Sequence, residues 1–371
     1  MKLIIHVGPP KTGTTALQRA LFSSRESLLK NSILYPDPKL RKLYNHGRLC
    51  YLFRPFSEAP RGMKQRGEAD YIKRGEFLRD QIVRQTRTHA PEMLILSSEW
   101  FARAYQAKDA SKFVEFAESL GASSIEFLLY ARRPSDFFLS ASQQRLRAAS
   151  HFEPIYPWNV NELIDGFRAL APQHTVTARA FDHNAFVGGS IITDFATHYI
   201  PGCKEVLNQA QTPRQSNESF SAEAMVILQD FRRTFFSDQE DRFNDRTRKL
   251  MRRLQKLDAR EGNPRPKLKP DWKDYLDYGN DRALRLRDGH GIEFSDFDYA
   301  RLERRDFAGR PERSENVADG VTTDPDRLWR MVGILEQSFW SPTRKSAAWL
   351  RDLSGRIGRA GTPDLPFWRG V

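Results

Sequence analysis

The sequence is poor in cysteine and has no long apolar run. Its 371 residues include two cysteines, Cys50 and Cys203, which form neither a disulfide framework nor a metal-knuckle pattern. This usage favours a reducing, cytoplasmic setting. No uninterrupted apolar run of about 18 or more residues is present, so we expect no membrane-spanning helix. The opening M-K-L-I-I-H-V-G is too short an apolar stretch for a secretory signal, so we expect no leader.

Motifs of several common enzyme classes are also missing. The eight histidines are scattered, without an H-E-x-x-H pattern or paired cysteines, so the sequence predicts no metal site. The absence of a G-x-S-x-G elbow disfavours a serine hydrolase. There is no internal repeat and no long low-complexity tract. The function must therefore be inferred from local motifs of a globular chain.

Basic residues outnumber acidic ones over the whole chain. There are 59 Lys and Arg residues against 47 Asp and Glu, a formal net charge of +12. This excess favours anionic partners, namely nucleic acid, phosphorylated cofactors, acidic glycans or a membrane surface. Residues 242–260 hold eight of the basic side chains, but their helical spacing also fits a solvated helix face. No nucleic-acid-binding signature accompanies them, so we expect no nucleic-acid partner.

Short β-rich runs alternate with amphipathic segments over the first 200 residues. The pattern predicts strands at residues 3–7, 33–35, 93–97, 125–131 and 174–180. It predicts helices at residues 14–29, 72–88, 110–120, from about 135, and at 190–198. Strands separated by helices of this length form βαβ units, so we predict an α/β fold with a mainly parallel central sheet.

Beyond Pro201 the pattern becomes helical. Helical spacing of apolar residues covers 221–236, 241–260, 325–339 and 343–357, and strong strand signals are absent after residue 262. We therefore predict two parts. Residues 1–220 form the core, and residues 221–371 form a mainly helical C-terminal elaboration packed on that core.

The segment His-Val-Gly-Pro-Pro-Lys-Thr-Gly-Thr-Thr, from His6 to Thr15, joins the first predicted strand to the first predicted helix. Glycine permits a tight loop, and the N–H groups at a helix start point towards a bound anion. Lys11 adds a mobile positive charge, and three threonines add hydroxyl groups. A Walker A loop requires G-x-x-x-x-G-K-[ST], and here Thr14 stands where its lysine should be. The loop predicts a phosphate or phosphosulfate site and disfavours an NTPase, while His6 itself is predicted to be buried packing.

A second anion-binding pattern follows the fourth predicted strand. Arg132 stands at the strand end, Pro134 two residues later and Ser140 eight residues later. Arginine grips a phosphate through a planar fork of N–H donors. Eight residues are just over two helical turns, which puts Ser140 on roughly the same face as the helix start. Arg132 and Ser140 are therefore predicted to hold one phosphate between them.

Together the two patterns resemble the sulfotransferases that use 3′-phosphoadenosine 5′-phosphosulfate (PAPS). The segment P-K-T-G-T-T is similar to that family's 5′-phosphosulfate loop, and the arginine–proline–serine pattern is similar to its 3′-phosphate motif. The resemblance implies a P-loop-like three-layer fold, PAPS as sulfuryl donor and no metal. It assigns Lys11 to the bridging and sulfuryl oxygens, Thr12, Gly13, Thr14 and Thr15 to the 5′-phosphate, and Arg132 and Ser140 to the 3′-phosphate.

Weaker similarities extend the resemblance to about residue 220. The segments 179–182, 188–189, 194–195 and 216–219 resemble stretches of bacterial carbohydrate-type sulfotransferases, and Arg214 is a candidate for a late cofactor contact. The R-K-G-x-x-G-D-W-K motif of the cytosolic small-molecule branch is absent. The resemblance therefore implies a hydroxyl of a carbohydrate or glycolipid as acceptor, with peripheral contact to a glycolipid surface.

Two residues are candidates for the general base that takes the acceptor's proton. Glu99 follows the predicted strand 93–97 at its carboxyl end, where open α/β sheets bind their ligands. The resemblance also implies a glutamate or histidine from this part of the sheet. His46 lies in the irregular region after the second strand and titrates near neutral pH, which suits a base. A capping or salt-bridged Glu99 and a structural His46 are the alternatives.

Two further functions stay open beside a PAPS-dependent sulfotransferase. An atypical P-loop kinase would use the same loop with ATP, although the G-K-[ST] order and a clear acidic strand end for Mg²⁺ are missing. A non-enzymatic basic protein that binds anions or nucleic acid would need only the positive charge. The sequence favours in-line sulfuryl transfer, in which positioning and charge stabilisation supply most of the rate. It indicates neither the individual acceptor nor the oligomeric state.

Overall fold

The computed structural model describes residues 1–40, 43–59, 61–152, 159–210, 219–307, 309, 311, 315–338 and 344–359. The strands are β1 (Lys2–His6), β2 (Ile33–Leu34), β3 (Met93–Ser97), β4 (Ser124–Ala131), β5 (Thr175–Ala180), β6 (Lys267–Leu268) and β7 (Val321–Thr322). The α-helices up to residue 209 are α1 (Thr14–Ser23), α2 (Arg25–Leu29), α3 (Arg61–Lys64), α4 (Glu68–His89), α5 (Ala110–Ser119), α6 (Pro134–Leu146), α7 (Val160–Leu170), α8 (Ile191–Tyr199) and α9 (Lys204–Gln209).

Eight further α-helices follow in the described part of the chain. They are α10 (Ala222–Phe236), α11 (Asp245–Arg260), α12 (Pro270–Tyr278), α13 (Arg282–His290), α14 (Tyr299–Glu303), α15 (Val317–Gly320), α16 (Pro325–Ser338) and α17 (Arg344–Arg359). Short 3₁₀ helices cover Gly47–Leu52, Phe56–Glu58, Glu99–Gln106, Val187–Gly189 and Pro201–Cys203. The chain divides into two units. The first comprises Met1–Arg133, Trp158–Pro213 and Asp281–Glu303, and the second comprises Pro134–Pro157, Arg214–Asn280 and Arg304–Val371.

The first unit is built on a five-stranded, all-parallel sheet in the order β2-β3-β1-β4-β5. Strand β1 lies in the middle, with Lys2 opposite Met93 of β3 and Ser124 of β4. Parallel strands buried on both faces consist of near-continuous apolar runs, which is the pattern of β1, β3 and β4. The edge strand β5 differs, since its residues are exposed or half-buried. The predicted α/β class and parallel sheet are confirmed, and the predicted strand bounds differ from the observed ones by at most one residue.

Helices cover both faces of this sheet. On one face, Leu128 of β4 belongs to a core cluster with Leu17 of α1 and Phe195 of α8. The next residue back along β4, Phe127, packs against Phe113 of α5, with ring centroids 6.2 Å apart. Successive residues of a strand point to opposite faces, so α5 covers the face opposite to α1 and α8. This layering is compatible with a three-layer α/β fold.

Two features of the helices differ from the prediction. The single helix expected over residues 14–29 is two helices, α1 and α2, which meet at Ser24. Helix α7 was not predicted, although Val160, Leu163, Ile164 and Phe167 are buried at the spacing of an amphipathic helix. That signal is present in the sequence.

The second unit is helical and has its own core. Phe138, Leu139 and Leu146 of α6 belong to the same apolar cluster as Phe220 and Phe152. This packing explains why α6 groups with the C-terminal helices, whereas the sequence predicts one boundary near residue 220. The strands of this unit, β6 and β7, are two residues long and antiparallel, too short to give a clear strand signal.

Both cysteines are buried and free of a disulfide. Burial raises the pKa of the Cys50 thiol to about 12, so this thiol stays protonated at neutral pH. Across the described residues, no helix combines the length and apolar character needed to cross a membrane.

Candidate active site

The loop between β1 and α1 is tight, and two of its residues have a left-handed backbone conformation. Lys11 and Gly13 have φ values of 69° and 71°, in the left-handed region that favours glycine. The Thr12 hydroxyl donates to the carbonyl oxygen of Pro9 at 2.7 Å and so closes the loop. Gly13 is the N-cap of α1 and supplies no side-chain acceptor. The first N–H groups of α1 are therefore presented as an anion site requires.

Two glycines let neighbouring side chains approach this loop closely. A Cβ atom on Gly8 would lie 2.4 Å from Cγ2 of Thr14 and 2.9 Å from Nε2 of His6. A Cβ atom on Gly13 would lie 2.9 Å from Cε2 of Phe181. A side chain at either glycine would displace the residues that pack against it.

Replacement of Gly13 by alanine is expected to lower the free energy of unfolding by about 3 kcal/mol, because backbone strain and overpacking add. Gly121→Ala is the matched control, since Gly121 has a φ of 74° and no described atom within 4 Å of its would-be Cβ. The control should lose only about 1 kcal/mol from strain. Urea unfolding measures both, and equal losses would contradict the close packing at Gly13.

Glu99 meets the loop through Thr14. The backbone N–H of Ser98 donates to the carbonyl oxygen of His6 at 3.1 Å, which fixes the end of β3 beside the end of β1. The Ser98 hydroxyl oxygen caps the following 3₁₀ helix by accepting from the N–H of Trp100 at 3.0 Å. Glu99 begins that helix, and its Oε1 accepts a hydrogen bond from the Thr14 hydroxyl. The structure thus brings the first candidate base to the start of α1.

Arg132 also contacts the loop. Its Nη1 donates to the carbonyl oxygen of Lys11 at 2.7 Å, and its guanidinium lies 5.3 Å from the centroid of the Phe181 ring. Arg132 directly follows β4, the neighbour of β1 in the sheet. Arg132, Lys11 and Glu99 therefore lie together at the carboxyl ends of adjacent parallel strands, where α/β sheets bind ligands.

Ser140 lies on α6, in the second unit. At the start of that helix the buried carboxylate of Asp277 accepts from the N–H of Ser135 at 3.0 Å and from its hydroxyl at 2.9 Å. An anion is stabilised at this end of a helix by its dipole. The Asp277 carboxylate therefore binds at the N-terminus of α6, where an anion would otherwise be stabilised. The joint Arg132–Ser140 phosphate site stays a prediction.

His46 has both ring nitrogens bonded to main-chain groups. Its Nδ1 accepts from the N–H of Ser97 at 3.1 Å, so Nε2 carries the proton and donates to the carbonyl oxygen of Pro36 at 2.9 Å. Burial lowers the pKa of His46 to about 4. A general base needs a ring nitrogen within reach of the acceptor and a pKa near the working pH. This environment argues against the second candidate base, and we assign His46 no catalytic step.

A chain of buried polar side chains supports the loop. The Ser97 Oγ lies 2.7 Å from Nδ1 of His6 and accepts from Nε2 of Gln18 at 3.2 Å. The Gln18 Oε1 in turn accepts from Nδ2 of Asn45 at 3.3 Å. Burial lowers the pKa of His6 to about 4 and keeps the ring neutral.

The Nε2 of His6 is a buried polar atom whose environment the sequence did not reveal. Among the described residues this buried nitrogen has no hydrogen-bond partner, and it faces Gly8 in the loop. Buried polar atoms without a hydrogen-bond partner are rare in native proteins and call for a ligand, ion or water. The available signal was the position of His6, two residues before the first glycine of the loop.

The stretch around Arg179 forms a structural ion pair. Arg179 grips the buried carboxylate of Asp194 through two nitrogens at 3.0 and 3.1 Å, and Tyr130 donates to the same carboxylate at 3.0 Å. These contacts fix α8 against β4 and β5. Arg214 and residues 216–218 lie outside the described residues.

The described His, Cys, Asp and Glu side chains form no group of three or more that suits a metal ion. Comparisons of the chain with protein-family models, with curated proteins and with solved structures give no match. Function is therefore inferred from the residues of the site itself.

Proposed function

We propose that the protein is a sulfotransferase that moves a sulfuryl group from PAPS to a hydroxyl of a carbohydrate or glycolipid. The observation that carries this proposal is the contact between the anion-binding loop and a carboxylate: Thr14, in the first turn of α1, donates to Glu99. Transfer of an anionic group to a hydroxyl needs a cradle and a proton acceptor side by side. The β1–loop–α1 unit within a parallel sheet supports a P-loop-like fold.

The donors around the loop fit a 5′-phosphosulfate. The N–H groups at the start of α1, the Lys11 ammonium and the Thr15 hydroxyl are suited to tetrahedral oxyanions. The buried Nε2 of His6, which has no hydrogen-bond partner among the described residues, adds a neutral polar atom that faces Gly8 of the loop. Thr12 contributes its main chain, since its hydroxyl is bonded to Pro9. Arg132 and Ser140 are proposed to hold the 3′-phosphate.

The chemistry assigns one task to each side chain. When bound, PAPS supplies a sulfuryl group whose bond to the phosphate oxygen breaks as its bond to the acceptor oxygen forms. Glu99 accepts the proton that leaves the acceptor hydroxyl, and Thr14 orients the carboxylate. Lys11 stabilises the negative charge that grows on the leaving phosphate oxygen. Arg132 fixes the main chain of Lys11 and with it the position of the ammonium.

A transfer assay with two labelled donors tests the proposal. The purified protein is incubated with ³⁵S-labelled PAPS, or with γ-³²P-labelled ATP and Mg²⁺, and a panel of sugars and glycolipids. We expect label to move from PAPS to a sugar hydroxyl, with one 3′-phosphoadenosine 5′-phosphate (PAP) released per transfer. Label that moves from ATP and not from PAPS would establish a kinase instead.

The two free, buried cysteines support the proposed reducing, cytoplasmic location.

A further inference from the structure

Several buried polar atoms near the end of α6, in the second unit, lack a hydrogen-bond partner among the described residues. They belong to Ser142, Arg145 and Arg147. The charge of Arg145 is met by Asp241, whose Oδ1 lies 3.6 Å from Nη1. Arg147 differs, because its guanidinium has a buried Nε without a partner in the described part of the chain and lies 5.6 Å from the Phe220 ring centroid.

Two buried arginines of this unit, Arg327 and Arg232, show which partners a buried guanidinium requires. Arg327 contacts the carboxylates of Glu223 at 3.1 Å and Asp258 at 2.8 Å. Arg232 donates to three main-chain carbonyl groups. Arg147 is half-buried, and its buried Nε has no such partner in the described part of the chain, which is unfavourable. Burial lowers the pKa of the Arg147 guanidinium, and no ion pair with a described carboxylate offsets it.

Gln143 provides a second donor beside Arg147. Its Oε1 accepts from the Ser219 hydroxyl at 3.0 Å and from the N–H of Phe220 at 3.3 Å, so its NH₂ group is left to bind a ligand. Gln143 stands one helical turn before Arg147, a spacing that brings side chains together. Both side chains also contact the segment 219–220, which places their donors on the same side of it.

We propose that Arg147 and Gln143 form a second oxyanion site that binds a sulfate- or phosphate-type group. Phe220 covers one face of the guanidinium and leaves its edge, where the N–H donors lie, to bind two oxygens in plane. The carboxamide of Gln143 supplies a neutral donor to the same group. This site lies wholly within the second unit and does not depend on the transferase proposed for the first.

Thermal unfolding of the full chain in sodium sulfate, against sodium chloride of equal ionic strength, tests the site. All variants carry Lys11→Ala, so that the loop of the first unit does not contribute. We expect sulfate at about ten times its Kd to raise the Tm of this parent by about 3 °C over chloride. Arg147→Met should abolish the increment, and Arg147→Lys, which keeps the charge but not the fork, should lose most of it.

Arg252→Met is the matched control, because Arg252 is an exposed arginine of α11 in the same unit; it should keep the full increment. Glucose 6-sulfate separates the two sources of the anion. If glucose 6-sulfate raises the Tm more than inorganic sulfate does, the site binds a sulfate group that is part of a larger ligand. If the two rises in Tm are equal, the site binds the free ion. An increment that survives in both Arg147→Met and Arg147→Lys, or none in the parent, would overturn the site.

Discussion

Replacement of Lys11 by alanine is expected to reduce the rate of sulfuryl transfer by about 10²- to 10³-fold, the loss typical of one oxyanion-stabilising donor. Lys11 is the cationic side chain of the loop, and its carbonyl oxygen is held by Arg132 at 2.7 Å. Alanine removes the ammonium but keeps the Cβ atom, so the strain of the positive φ is the same in both proteins. The free energy of unfolding should therefore change little.

Transfer of ³⁵S from PAPS measures this loss, with urea unfolding of the same sample as the check on the fold. Lys30→Ala is the control, because Lys30 is an exposed lysine that follows α2 and its removal changes the net charge equally. That variant should transfer sulfate at the normal rate. A Lys11→Ala protein that is as fast as the control would exclude Lys11 from the reaction.

Replacement of Glu99 by glutamine is expected to slow transfer by about 10²- to 10⁴-fold, the usual contribution of a general base. Glutamine has the same shape, and its carboxamide oxygen can accept the hydrogen bond that Thr14 donates to Glu99. The loop should therefore keep its conformation, and affinity for the donor should be unchanged within about twofold. The expected effect is on kcat rather than on donor binding.

Steady-state rates at saturating PAPS, together with calorimetric titration of PAP, separate these two effects. Glu76→Gln serves as the control, since Glu76 is an exposed carboxylate on α4. A normal kcat in Glu99→Gln would remove Glu99 from the proposed role. His46 would not take its place, because both of its ring nitrogens are bonded to main-chain groups.

The middle strands of the sheet were predictable because they are largely apolar runs. Residues 93–97 and 125–131 are buried on both faces, and a buried parallel strand has no other sequence pattern. The assignment of α6 to the second unit was not predictable. It depends on apolar contacts with Phe220 and Phe152, and no local pattern encodes such contacts.

Some features of the candidate site could likewise be predicted from the sequence, and others could not. Lys11, Arg132 and Glu99 could be named because each lies in the segment that follows a predicted strand, and parallel strands end at one edge of the sheet. Burial of His46 between Pro36 and Ser97 results from long-range contacts that its sequence neighbours do not reveal. The same holds for Asp277, which caps α6 from a distant helix.

Calorimetric titration with PAP, AMP and ATP, without added metal, tests the central claim that this site binds a nucleotide through two phosphates. A charge-assisted contact to a phosphate contributes about 1.5–3 kcal/mol, or roughly 10- to 150-fold in Kd. We therefore expect PAP to bind at least about 10-fold more tightly than AMP or ATP, and Arg132→Ala to remove that preference. Equally weak binding of all three nucleotides, unchanged by Arg132→Ala, would contradict the two-phosphate site and with it the proposed transferase.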